Sequence, residues 1–195
     1  MPSPRVALLP GSIRAASVHQ QLAAALVPLL VARGVEAEVI DLSEYPMPLY
    51  HGDDEAELGQ PATAVALRDR LADFDGLMFV SPEYNGGPSA LLKNSIDWVT
   101  RVDRAVFKPL LIGLAAASPG QRGGRNGLSV MRSIVEHLRL ELVDHDLSIA
   151  QAGDAFELVD GNPAFVRALD VEAAEMFVST YAARLHERAT VGSER

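Results

Sequence analysis

Two loops of this sequence carry side chains that an ordinary turn does not need. In the first, Leu9-Pro10 runs into Gly11-Ser12-Ile13-Arg14-Ala15-Ala16-Ser17, which groups a glycine, two hydroxyls and a guanidinium. Where such a segment leaves a strand and enters a helix, its backbone N–H groups and the helix dipole converge on one point. The hydroxyls of Ser12 and Ser17 and the fork of Arg14 then add donors suited to a phosphate. A plainer reading of the same residues is a tight turn at Gly11, a serine cap at Ser17 and a solvated Arg14. The segment alone does not choose between them. It is not a Walker A loop, because no Gly-Lys-Ser/Thr follows, and it is not G-x-G-x-x-G, so an NTP with magnesium is disfavoured.

The second loop, Pro82-Glu83-Tyr84-Asn85-Gly86-Gly87-Pro88, lies directly behind the apolar run Gly76-Leu77-Met78-Phe79-Val80. Prolines stiffen its ends, the glycines leave room for a planar ligand's edge at the backbone, and Tyr84 and Asn85 offer a ring and an amide. An ordinary turn would also place Asn85 in a left-handed conformation, but it needs neither the tyrosine nor the acid. Glu83 is expected to pair with an arginine or face water, its backbone mattering more than its carboxylate. A third loop, Ser118-Pro119-Gly120-Gln121-Arg122-Gly123-Gly124-Arg125, again exposes backbone donors through its glycines, and its arginines either meet an anionic ligand or are solvated.

The elements that must position these loops are legible as apolar runs alternating with amphipathic stretches, the signature of βαβ units. Strands are expected at 5–9, 35–41, 75–81, 107–116 and 142–149, and helices at 17–33, 62–74, 89–101, 126–140 and 163–188. Gly34 suits a left-handed C-cap, Pro61 precedes the second helix, and Pro163 suits the first turn of the last one. The expected architecture is one α/β domain over 1–195, a doubly wound five-stranded parallel sheet with helices on both faces and a frayed tail at 189–195. In such a sheet ligands sit outside the carboxyl ends of the strands, where the three loops fall. The stretch 42–60 is long for a βα loop and reads as a lid or interface segment carrying Tyr50 and His51 toward a neighbouring site.

Composition removes several classes of function. The net charge is −9 with no Lys/Arg block, which leaves no basic stripe for nucleic acid or anionic lipid. There is no cysteine, so redox chemistry has to come from a borrowed cofactor. The apolar segment behind Met1 meets Pro10-Gly11 too soon for a signal or a membrane span, so a cytoplasmic location is expected. His137, Asp144, His145 and Asp146 lack a consistent metal-ligand spacing. No G-x-S-x-G elbow occurs, so Ser12 is better placed as a donor than as a nucleophile.

Gly11-Ser12-Ile13-Arg14 with Ser17, Pro82-Glu83-Tyr84-Asn85-Gly86, Leu92-Lys93-Asn94-Ser95-Ile96-Asp97-Trp98 and Pro46-Met47-Pro48-Leu49-Tyr50 together resemble the NADPH-dependent FMN reductase family, which includes quinone, azo and chromate reductases. The resemblance covers residues 5 to 150. It implies a flavodoxin-like sheet of order 2-1-3-4-5. FMN would be held by Ser12, Arg14, Ser17, Val18 and His19 at the phosphate, by Pro82, Glu83, Tyr84, Asn85 and Gly86 along the isoalloxazine, and by Ser118, Gly120 and Gly123 on the pyrimidine side. His19 stands where the family usually has asparagine. A neutral imidazole still donates one hydrogen bond and a protonated one adds charge, so a pH-dependent FMN affinity is expected.

The implied activity is transfer from NADPH or NADH through FMN to a small-molecule acceptor such as a quinone, an azo compound, free flavin or a metal oxyanion, with ping-pong kinetics and no catalytic side chain. The resemblance also implies a homodimer or homotetramer. Two alternatives are a flavin-binding electron carrier or regulatory module without its own NAD(P)H activity, and a flavin-free fold that binds another phosphorylated ligand. Lys93 and Asp97 are spaced to pair on one helix face, steadying the second loop and a subunit contact.

Overall fold

The computed structural model of the chain describes residues 3–193. It opens with β1 (Arg5–Pro10), α1 (Val18–Val31) and β2 (Glu36–Val39), continues through α2 (Gly52–Leu58) and α3 (Ala62–Leu71) to β3 (Gly76–Val80), then a small hairpin of β4 (Glu83–Tyr84) and β5 (Gly87–Pro88). There follow α4 (Ala90–Asp103), β6 (Leu111–Ala117), α5 (Arg125–His137), β7 (Leu147–Ile149), a second hairpin of β8 (Phe156–Val159) and β9 (Asn162–Phe165), and α6 (Ala168–Ser193).

The main sheet is five-stranded in the order β2-β1-β3-β6-β7, every pairing parallel. Counted along the sheet's own strands this is 2-1-3-4-5, the expected flavodoxin-like arrangement. β3 and β6 are buried at every position because both faces are covered. The pleat separates two cores: Val6, Leu8 and Met78 pack with Leu22, Leu26 and Tyr181 under α1 and α6, while Ala7, Leu9, Leu77 and Phe79 pack with Leu67, Ile96 and Val135 under α3, α4 and α5.

Several boundaries differ from expectation. The fourth sheet strand begins at Leu111, not 107, because Asp103 Oδ1 accepts the Ala105 amide at 2.8 Å and folds Arg104–Phe107 into a 3-10 turn, and Pro109 has no N–H to give a ladder. At 142–149 only Leu147–Ile149 forms a strand; Leu142 makes a single bridge to Ile112, and Asp146 turns aside to Arg132 Nη2 at 2.6 Å. Pro163 does not start the last helix. It lies in β9, because Asp160 and Gly161 take left-handed φ of 50° and 80° and close a two-residue hairpin between Val159 and Asn162. The tail expected to fray from 189 stays helical to Ser193; residues 194 and 195 lie outside the described residues.

Candidate functional site

The three loops meet at the carboxyl ends of β1, β3 and β6. Register brings Pro10 beside Val80 and Val80 beside Ala115, and the ladder runs on into the loops through Gly11 N to Val80 O at 2.9 Å and Ser81 N to Ala115 O at 2.8 Å. Gly11 is where the first loop lies against the second. A Cβ there would stand 2.8 Å from Pro82 Cδ, 2.9 Å from Ser89 Oγ and 3.1 Å from Leu92 Cβ. Ser89 fastens the junction: its hydroxyl donates to Gly11 O at 2.6 Å and accepts the Leu92 amide at 3.2 Å, capping α4.

In the first loop Ser17 caps α1 by accepting the His19 amide at 3.2 Å, its own amide donates to Arg14 O at 3.0 Å, and Gln20 Nε2 donates to Ser12 O at 3.0 Å. Ser12, Ser17 and His19 are buried, Val18 is half-buried against the core under α1, and Arg14 is exposed. No acid stands in the first turn of α1, so nothing there opposes an anion at the helix N-terminus.

His19 is 7% exposed, and its Nε2 has no hydrogen-bond partner in the structure. Burial pulls the imidazole down to about 4, partly offset by the Ala117 carbonyl, so it is neutral at pH 7, the first of the two expected forms. The unfolded chain therefore binds a proton that the folded chain refuses between pH 6.5 and about 4, and stability falls as pH drops through that window. The expected loss from this residue is on the order of 3 kcal/mol between pH 7 and pH 4. Urea melts of the flavin-free protein across this range should show it, and His19→Asn should flatten the profile; an unchanged profile in the variant contradicts the assignment.

The second loop is a hairpin. Asn85 and Gly86 take φ of 53° and 80° between Tyr84 and Gly87, the two-residue turn that Asn-Gly favours. Tyr84 and Asn85 are exposed, whereas Pro82 is buried. Glu83, half-buried, pairs with no arginine: Oε2 accepts the Gly127 amide at 3.0 Å and Oε1 accepts Asn126 Nδ2 at 3.2 Å. Its carboxylate thus caps the first turn of α5 from outside, the charge that a helix N-terminus favours, and joins the second loop to the third. Sequence reasoning missed this role, and that of Ser89.

The third loop is held from beneath. Ser118 Oγ accepts the Gly120 amide at 3.1 Å, and the Ser148 hydroxyl reaches Gly123 O at 3.1 Å and Arg122 O at 3.3 Å. Gly123 has a φ of 59°, and a Cβ on it would fall 2.4 Å from Ser148 Oγ and 2.9 Å from Ala150 N. Gly120 is exposed and not sterically required. The structure thus gathers Ser12, Arg14, Ser17, Val18 and His19 on one side, Pro82 to Gly86 on another, and Ser118, Gly120 and Gly123 on a third.

The 42–60 segment is tied to α4 along its length. Asn94 accepts the Tyr50 amide at 2.8 Å and donates to Pro48 O at 2.9 Å, Trp98 Nε1 donates to Pro48 O at 2.8 Å, and Tyr50 meets the Trp98 ring edge-on at 5.1 Å. Tyr50 also donates to Glu55 Oε2 at 3.0 Å, which with Arg101 forms an ion pair at 2.9 Å; the Arg101 hydrogen bond holds the Glu55 carboxyl below its ordinary value. Lys93 and Asp97 pair at 2.7 Å as expected. Among the described residues no group of three or more His, Asp or Glu side chains is arranged to hold a metal, and no helix is long and apolar enough to cross a membrane.

Comparison with known proteins agrees with this geometry. A family model described as NADPH-dependent FMN reductase matches residues 4–154. The chain is 36% identical over 124 residues to an NADPH:quinone oxidoreductase of Arabidopsis thaliana, covering 63% of this chain and 62% of that protein. It is 28% identical over 185 residues to a 2-hydroxy-1,4-benzoquinone reductase of Burkholderia sp., covering 94% of this chain and 97% of that one. Among solved structures the fold matches the flavoenzyme NAD(P)H:(acceptor) oxidoreductase FerB of Paracoccus denitrificans with a TM-score of 0.74 at 24% identity, covering 94% of this chain and 98% of the other. The chain belongs to the NADPH-dependent FMN reductase family.

Proposed function

We propose that this chain is a single-domain FMN-dependent NAD(P)H oxidoreductase that reduces quinones, with the flavin held across the three loops. The carrying observation is their convergence: a donor-rich helix start with buried Ser12 and Ser17, the unpartnered Nε2 of the buried His19, and two further loops brought against it by Gly11 and Glu83. These features fit a phosphate joined to a flat polar ring. FMN, when bound, would supply the redox chemistry, a route for the two electrons and one proton of a hydride from NAD(P)H to the acceptor.

The chain's own residues bind and orient. Ser12, Arg14, Ser17, Val18 and His19 hold the phosphate end, Arg14 supplying the charge and the others a preformed, partly desolvated floor. Pro82 to Gly86 line the ring, with Tyr84 as an exposed wall beside it, and Ser118, Gly120 and Gly123 close the pyrimidine side. No titrating side chain is required, because the hydride passes between cofactor and substrates and the second proton that a hydroquinone needs is taken from water. The supporting relatives are named for quinones, which makes a quinone the first acceptor to assay. A second copy of the chain is proposed to cover the groove of about 570 Å3 between α4 and α5, whose lining includes Ile96, Val130, Ile134 and Leu138; sedimentation velocity tests this, a monomer at micromolar concentration opposing it.

Arg14→Ala is expected to weaken FMN binding by about ten- to hundred-fold, the range for loss of one charge-assisted hydrogen bond. Titrating apoprotein with FMN and following quenching of its fluorescence measures this, and undiminished affinity would remove Arg14 from the phosphate.

A further inference from the structure

On the reading of the site as an FMN-dependent NAD(P)H oxidoreductase, we infer that Arg122 and Arg125 form a clamp for the 2′-phosphate of NADPH and make it the preferred reductant over NADH. Most basic side chains of this acidic protein are engaged by carboxylates or backbone carbonyls. Among the described residues Arg14, Arg122 and Arg125 on the loops at the carboxyl edge, and Arg104, Lys108 and Arg139 at the opposite edge, have no such partner. The opposite-edge cations precede β6 and β7, away from the loops that meet at Gly11. FMN has one phosphate, and Arg14 on the first loop answers it. The two arginines of the third loop are left without an anion in a chain of net charge −9.

Their backbone is fixed while their side chains are free. The Arg125 amide donates to Arg122 O at 3.1 Å, the Ser148 hydroxyl braces Arg122 O and Gly123 O, and Gly123 and Gly124 hold left-handed φ of 59° and 83°. Both arginines are exposed, projecting from a rigid four-residue stretch. Acids close by are already committed: Glu83 to Gly127 and Asn126, and Asp146 to Arg132 at 2.6 Å. Arg125 also lines a groove of about 560 Å3 between α5, β7 and α6, whose other walls include the paired Arg132 and Asp146, His145, Met176 and Phe177. A groove with an apolar side and a cationic mouth suits an adenosine whose ribose carries a phosphate. A phosphate monoester near its dianionic form attracts paired guanidiniums more strongly than the singly charged pyrophosphate oxygens that NADH and NADPH share.

The test is calorimetric titration of the FMN-loaded protein with adenosine 2′,5′-bisphosphate and with 5′-AMP, at low and moderate salt, for the wild type and the Arg122→Ala/Arg125→Ala double variant. The bisphosphate is expected to bind at least about ten-fold tighter than 5′-AMP to the wild type, with the difference shrinking as salt rises and vanishing in the double variant. In steady state the same variant should raise KM for NADPH far more than for NADH, and Arg122→Lys/Arg125→Lys should restore part of the preference. Equal affinities for the two nucleotides, or a KM rise shared equally by NADPH and NADH, overturns the clamp. FMN titrations of the same proteins keep the failures apart: a protein that binds FMN but treats the nucleotides alike loses the clamp only, and one that binds no FMN loses the reading beneath it.

Discussion

Gly11→Val is expected to give a folded protein that no longer retains FMN. The first and second loops touch at this residue, and the space a side chain would enter already holds Pro82 Cδ at 2.8 Å, Ser89 Oγ at 2.9 Å and Leu92 Cβ at 3.1 Å. None of the three yields cheaply. Pro82 is a ring at the start of the β4 hairpin, Ser89 is spent on Gly11 O and on capping α4, and Leu92 is fully buried in the core beneath α4. A β-branched side chain therefore forces the loops apart, at an overpacking cost of about 1–3 kcal/mol in stability. The larger effect falls on binding, because donors from two loops no longer converge on one ligand. Affinity for FMN should fall by more than about a hundred-fold, the consequence of misplacing several hydrogen bonds of about 1 kcal/mol or more each. Far-UV circular dichroism should stay near wild type while the flavin titration fails. Wild-type flavin affinity in Gly11→Val would mean that the junction of the loops does not shape the site.

The second large effect concerns the sheet that carries the loops. Gly76, at the start of β3, and Gly113, in β6, leave a hollow that Tyr181 of α6 fills from above. A Cβ on Gly76 would fall 2.3 Å from the Tyr181 hydroxyl and 3.3 Å from Leu111 O, and one on Gly113 would fall 3.0 Å from Tyr181 Cε2. The tyrosine is fully buried, its hydroxyl donates to Leu111 O at 2.7 Å, and burial pushes its phenol far above the ordinary value, so it acts only as a neutral donor. Gly76→Ala should destabilise the fold by about 3 kcal/mol or more, combining overpacking with loss of the buried hydrogen bond. Tyr181→Phe alone should cost about 1–2 kcal/mol. Because the clash is with the oxygen that Tyr181→Phe removes, the double variant should be more stable than Gly76→Ala alone, a coupling of favourable sign in a double-mutant cycle. Additive losses in urea unfolding would show that the alanine is accommodated elsewhere.

How much of this was legible in the sequence follows from which interactions are local. The central strands announced themselves because a parallel sheet covered on both faces needs continuous apolar runs, and Gly76 to Val80 and Leu111 to Ala117 are of that kind, whereas the edge strand β2, Glu-Ala-Glu-Val, is half exposed. Helix starts at Ser17 and Ser89 and the left-handed Gly34, with a φ of 73°, were equally readable, since caps are encoded within a few residues. The β8 hairpin was missed although Asp160-Gly161 is a strong turn dipeptide, because Pro163 also suits a helix start and the local signals conflict.

At the site, the three loops followed from strand order and sequence motif, but the commitments of individual side chains did not. Glu83 reaches the amide of Gly127 across 44 residues and Ser89 reaches Gly11 across 78, distances that no local spacing encodes. The 42–60 segment read as a lid or interface segment, and its ties to Asn94 and Trp98 through Pro48 were not legible because those residues lie on α4, beyond α3.

The three loops are proposed to hold FMN for NAD(P)H-dependent reduction of a small acceptor. The most direct test of this role is the visible spectrum of the FMN-reconstituted protein, freed of excess flavin, during anaerobic addition of NADPH and then of benzoquinone. A bound-flavin band that bleaches within the mixing time on NADPH and returns on benzoquinone is the predicted result. A protein that retains no flavin band, or one whose band is unmoved by NADPH and NADH alike, contradicts the account.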